Sequence, residues 1–108
     1  MAVVYQVVVV PEARDQIHAI VDYWDEHYSY EKATRTLSAI LEAIDSLSEM
    51  PTRHALVPMI STQGIVYRRI LSKPYRIVFS IDEATTTVTV VDVDHERRDP
   101  QIIIDKLG

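Results

Sequence analysis

The chain contains no cysteine, so neither disulfides nor thiolate metal sites can support it, and a reducing compartment suits it. Glycine occurs only at Gly64 and Gly108. That excludes a glycine-rich phosphate loop and a nucleophile elbow, which both need glycines at fixed spacing. No run approaches the roughly 20 apolar residues that span a bilayer. The short apolar run 7–10 has no basic region before it and no cleavage site after it, so a secretory signal is not expected. His18, His27, His54 and His95 are scattered, with no carboxylate at ligand spacing, so neither a metal nor another cofactor is expected. Cations are also short: 11 Lys and Arg stand against 16 Asp and Glu, a net charge of −5. A protein that docks broadly on nucleic acid normally shows the opposite balance.

The 108 residues, 47% of them hydrophobic, suffice for a single domain, 1–108, with one core. The charge is uneven: residues 1–64 hold four basic against nine acidic side chains, and residues 65–108 hold seven of each.

Residues 3–10 read as a strand that is apolar at nearly every position, which suggests burial on both faces. Pro11 suits the first turn of a helix, and Glu12 and Asp15 suit its positive end. Ala13, Ile17, Ile20, Val21, Trp24 and Tyr28 then recur at helical spacing, with Arg14, Asp15, Asp22 and Asp25 turned outward. Trp24 and Tyr28 suit core packing better than a base-stacking platform. Ser29 can cap a second helix whose stripe is Ala33, Leu37, Ile40, Leu41, Ile44 and Leu47, ending before Met50-Pro51. Two such helices with a very short turn form an αα-hairpin. A loop is expected over 52–64.

The stretch 65–100 organises the rest. Residues 65–71, 75–82 and 86–94 are rich in β-branched and aromatic residues, and turns at 72–75 and 82–85 join them into a meander. Arg68, Arg69, Lys73 and Arg76 fall within nine residues that contain no acid, and Arg97 and Arg98 follow the last strand beside His95. Alternation puts Tyr75, Ile77, Phe79 and Ile81 on one face and Arg76, Val78 and Ser80 on the other. Asp99-Pro100 then caps and opens a short helix to Leu107. The predicted fold is α+β: an N-terminal strand, an αα-hairpin, a three-stranded antiparallel meander and a short C-terminal helix, with the hairpin on one face of a four-stranded sheet.

These residues carry a family resemblance. The hairpin strand Tyr75-Arg76-Ile77-Val78-Phe79, the ending Val93-Asp94-His95-Glu96-Arg97-Arg98, the Val9-x-Pro11-Glu12-Ala13 start and the Leu47…Met50-Pro51 helix end together resemble the RelE/ParE superfamily of toxins from type II toxin–antitoxin pairs. In the RelE branch, ribosome-dependent mRNA endonucleases, the resemblance implies catalytic roles for Arg69 and Arg76. Metal-free RNA cleavage needs a base, an acid and cations, which Arg69, Arg76 and Arg98 with His95 could supply. That branch usually places a catalytic tyrosine after the last strand, and residues 96–108 contain none. A structural role is the alternative: Arg76 would pair with Asp92 or Asp94. The ParE branch, preferred on the missing tyrosine, the hairpin length and the His-x-Arg-Arg-Asp ending, implies a cytoplasmic plasmid-stabilisation toxin that inhibits DNA gyrase. It would have no catalytic site and no cofactor, its contact surface would include Arg97 and Arg98, and a cognate antitoxin would neutralise it. A non-toxic relative that only binds a partner protein is a third reading.

Overall fold

The computed structural model describes residues 3–58 and 64–107. Pro11 opens helix α1, Pro11–His27, as its fixed φ allows, and the Arg14 N–H donates to the Val10 carbonyl at 3.0 Å. The helix ends where the backbone N–H groups of Tyr28 and Ser29 both donate to the Trp24 carbonyl at 3.0 Å. Ser29 then caps helix α2, Tyr30–Asp45, its hydroxyl accepting from the Lys32 N–H at 3.0 Å. A 3₁₀ turn at Ser46–Ser48 and a left-handed Met50 (φ 47°) before Pro51 stop the chain from continuing as helix.

The strands are β1 (Gln6–Val9), β2 (Ala55–Leu56), β3 (Tyr67–Ser72), β4 (Tyr75–Asp82) and β5 (Thr87–His95), followed by helix α3 (Pro100–Leu107). They form one sheet in the order β1-β5-β4-β3-β2, with β1 parallel to β5 and the other pairs antiparallel. The architecture is the predicted α+β one. The hairpin covers one face through Ala13, Ile17, Ile40 and Ile44, with Leu47 of the following 3₁₀ turn, packed on Tyr75, Ile77, Phe79, Val88, Val90 and Val93. On the other face α3 lays Ile103 on Tyr67 and Val78. Asp99 caps α3 by accepting from the Gln101 N–H at 2.9 Å.

Four expectations are corrected. The sheet has five strands, because Ala55 and Leu56 pair with Arg69 and Arg68 inside the expected loop, whose residues 59–63 lie outside the described ones. Strand β1 is an edge strand, and Val8 is 40% exposed. Its apolar run comes from lying along the hairpin's flank, not from burial on two sides. Leu41 is 48% exposed and Tyr28 is 67% exposed, so neither belongs to the core. The first meander strand begins at Tyr67, with Ile65 and Val66 exposed before it.

Candidate functional site

The α3 face of the sheet gathers most of the charged residues of the meander. Arg69 is in register with Val78, and Arg76 with Leu71 and Asp94. Opposed residues share a face, so Arg69, Arg76, Asp92 and Asp94 stand on the side of Val78. A β-bulge makes this possible. Val78 pairs with Asp92 while Phe79 pairs with Val90, so Val91 is the extra residue. One added residue inverts the face of everything beyond it. Without it Asp92 and Asp94 would point into the apolar hairpin face.

Each buried acid finds a partner, and it is not Arg76. Asp94 pairs with Arg98 at 3.0 Å and accepts from the His95 N–H at 2.8 Å. Asp92, 2% exposed, accepts at Oδ1 from Gln16 Nε2 at 2.9 Å and from Lys106 Nζ at 3.1 Å. Gln16 also accepts from the Val93 N–H at 3.0 Å, so its amide side chain takes a strand's place where β1 ends. Lys106 reaches the Val91 carbonyl at 3.3 Å and Glu12 at 3.4 Å, and so ties α3 to β5 and α1. Arg76 has two buried nitrogens, Nε and Nη2, with no hydrogen-bond acceptor among the described residues. The expected Arg76–Asp94 pair is adjacent in register but not made.

The bulge also moves His95. Its ring stands edge-on to Tyr75 at 5.9 Å, on the hairpin face, while Arg69 and Arg76 are on the other. Its Nδ1 accepts from the Arg97 N–H at 3.1 Å. Arg97 is exposed, and the Arg98 side chain is 49% exposed while paired to Asp94. The four residues of the ribonuclease reading thus divide: Arg69 and Arg76 together, Arg98 at the strand end beside Asp94, His95 across the sheet. Among the described residues no group of histidines and carboxylates could hold a metal, and no helix is long and apolar enough to cross a membrane.

A second feature is a groove of about 650 Å³ between β1 and the hairpin, lined by Val7, Val9, Ile17, Val21, Leu37 and Leu41 among others. Asp22 stands at its rim, and Asp25 and Glu26 are exposed further along α1. Sequence reasoning missed this groove, and it missed Gln16 and Lys106. The doublet Val90-Val91 within an otherwise alternating run was the available mark of the bulge that recruits both.

A helical hairpin laid across one face of a sheet whose N-terminal strand runs parallel to the last strand of an antiparallel meander is the RelE/ParE toxin fold. The family described as "ParE toxin of type II toxin-antitoxin system, parDE" matches residues 7–100, and the chain belongs to that family. Among curated proteins, none matches this sequence. Among solved structures, the chain is similar to one from the chromosomal ParDE toxin–antitoxin system of P. aeruginosa (TM-score 0.69, 19% identity, 85% of this chain and 96% of that one). It is similar as well to one from the archaeal RelE–RelB complex of Pyrococcus horikoshii OT3 (0.64, 13%, 89% and 99%). A third comes from the RelBE2 toxin–antitoxin complex of Mycobacterium tuberculosis (0.59, 27%, 87% and 100%).

Proposed function

We propose that this ParE-family chain acts in the cytoplasm as a gyrase-inhibiting toxin, working through a contact surface and not as a nuclease, and that a cognate antitoxin neutralises it. The observation that carries the choice is the sheet between His95 and the pair Arg69 and Arg76. General acid–base catalysis needs the proton-transfer group within about 3 Å of the reacting atoms. With His95 facing the hairpin and no tyrosine in residues 96–108, the arginine pair lacks both proton-transfer groups that the ribonuclease reading names, and Tyr67 on the same face is packed into the core with Val78 and Ile103. Exposed Arg97 and half-exposed Arg98 offer the contact surface. The antitoxin reading rests on the groove beside β1. An unpaired strand edge next to an apolar trough suits a disordered segment that folds as it binds, and the acids of α1 suit basic residues in that segment.

A ribosome-dependent mRNA endonuclease is the second reading, favoured by the shared face of Arg69 and Arg76 and by the two Arg76 nitrogens with no acceptor among the described residues. Two assays on the purified chain separate them: gyrase supercoiling with capture of the cleavage complex, and mRNA cleavage on programmed ribosomes. Inhibition in the first with no codon-phased cuts in the second is the expected result. Cuts lost in Arg76→Ala would establish the endonuclease, since removing one such group typically lowers the rate by about 10²–10⁴-fold. Silence in both would identify a non-toxic binding relative.

A further inference from the structure

The seam between α2 and the β3–β4 turn holds a recess of about 180 Å³ that the toxin reading does not use. Lys32 and Arg35 of α2 and Lys73 of the turn all line it, with Ser72 and Tyr75, and no carboxylate does. In a chain of net charge −5 this convergence is unusual. The ion pairs among the described residues join Arg98 to Asp94 and Lys106 to Glu12 and Asp92, and none involves these three cations. Like charges facing one recess repel, so the arrangement gains most when an anion sits between them.

Two further observations aim the recess at a ligand. Tyr75 is only 8% exposed, and its hydroxyl accepts from Trp24 Nε1 at 2.7 Å. That bond uses an oxygen lone pair and leaves the phenolic proton with no acceptor among the described residues, on a buried side chain that lines the cationic recess and also a neighbouring one shared with Asp94 and His95. Lys32 is also held in place, its Nζ 4.9 Å from the centre of the Trp24 ring. The recess is roomy enough to admit a small oxyanion.

We propose that Lys32, Arg35, Lys73 and the Tyr75 hydroxyl form a binding site for a phosphate-class oxyanion, free or carried on a nucleic-acid strand. The cations supply charge-assisted hydrogen bonds and Tyr75 supplies a fixed neutral donor. The site is separate from Arg69 and Arg76, which lie on the opposite face of the sheet, and it does not depend on whether the chain inhibits gyrase.

Trp24 is the chain's only tryptophan, and it touches both Lys32 and Tyr75, so its fluorescence reports directly on the recess. The purified full chain is titrated with sodium phosphate, sodium pyrophosphate and a short single-stranded oligonucleotide, against sodium chloride at matched ionic strength. A saturable change with phosphate but not with chloride is expected. Lys73→Gln and Arg35→Gln, both at exposed positions, should each weaken it roughly tenfold, the loss of one charged hydrogen bond. Arg97→Gln, outside the recess, should leave it unchanged. Competition by the oligonucleotide at lower concentration than phosphate would identify a nucleic-acid strand as the source, and its absence would identify a free phosphate species. A response that follows ionic strength whatever the anion, no saturable response at all, or equal weakening by Arg97→Gln would overturn the site.

Discussion

The two faces of the sheet are stabilised by different physics. The hairpin face is a continuous apolar interior in which Ile40, Leu47, Ile77, Phe79, Val88 and Val90 have no exposure at all. Each such side chain gains about 1.5–3 kcal/mol on leaving water. The α3 face has a buried core of three, Tyr67, Val78 and Ile103, with partly buried Val57, Val91, Ile104 and Leu107 packed against it and the charged residues of the face beside them. Lys106, Gln16 and one oxygen of Asp92 are joined there by a specific network, yet the Nε and Nη2 atoms of Arg76 and the other oxygen of Asp92 are buried without partners among the described residues. One face carries the stability, and the other gives up some of it to keep charge where an apolar residue would pack. Such a local conflict between folding and composition is expected at surfaces that serve function.

The sharpest way to break this contrast is at Phe79, which is fully buried against the hairpin. Phe79→Ala should lower the unfolding free energy by about 3–5 kcal/mol, read from denaturant melts. A loss under about 1 kcal/mol would mean that the hairpin does not rest on β4 as described.

Arg76→Met tests the other face and should move stability in the opposite direction. Methionine keeps the aliphatic stem and removes nitrogens whose burial without partners costs about 1–3 kcal/mol. Arg76 is partly exposed and water offsets some of that cost, so a gain of about 1 kcal/mol is expected in the same melts. A loss of similar size would show that the guanidinium has a partner in solution, and the two faces would then follow one rule.

The hairpin was legible because its stripes repeat at the helical period and its ends carry their own signals, Pro11, Ser29 and Met50-Pro51. The meander was legible because turn residues punctuate β-branched runs. The edge position of β1 was not. Its run of valines resembles a doubly buried strand, and only the sheet order reveals that Val8 faces outward. A two-residue strand such as β2 has no period to read. The division of the candidate site was hidden by a single residue. Counting back from the 82–87 turn without a bulge places His95 on the face of Arg76. Val91 shifts the register by one and sends the imidazole to Tyr75 instead. Where a site spans two strands, its composition can be read from the sequence more safely than its convergence.

The smallest effect concerns the rim of the well-packed face, where the His54 ring meets Phe79 edge-on at 6.0 Å. Burial lowers the His54 pKa below its usual 6.5, and the Arg53 and Arg68 guanidinium groups lower it further. Above about pH 6.5 the imidazole is neutral in both folded and unfolded chains and contributes no slope. As the pH falls through that value the unfolded chain takes up the proton first, so folding stability declines until the folded-state pKa is passed. The measurement is a difference between two chains. Melts of the wild type and His54→Gln are compared between pH 7.5 and 5.5, above the range in which carboxylates dominate. The wild type should lose more stability over that interval than the variant. His54→Gln will also lose the contact with Phe79, and its absolute stability should be lower at every pH, but only the slope reports on the proton. Equal slopes would mean that His54 is as well solvated as it would be in the unfolded chain. The apolar face would then end before Phe79's outer edge.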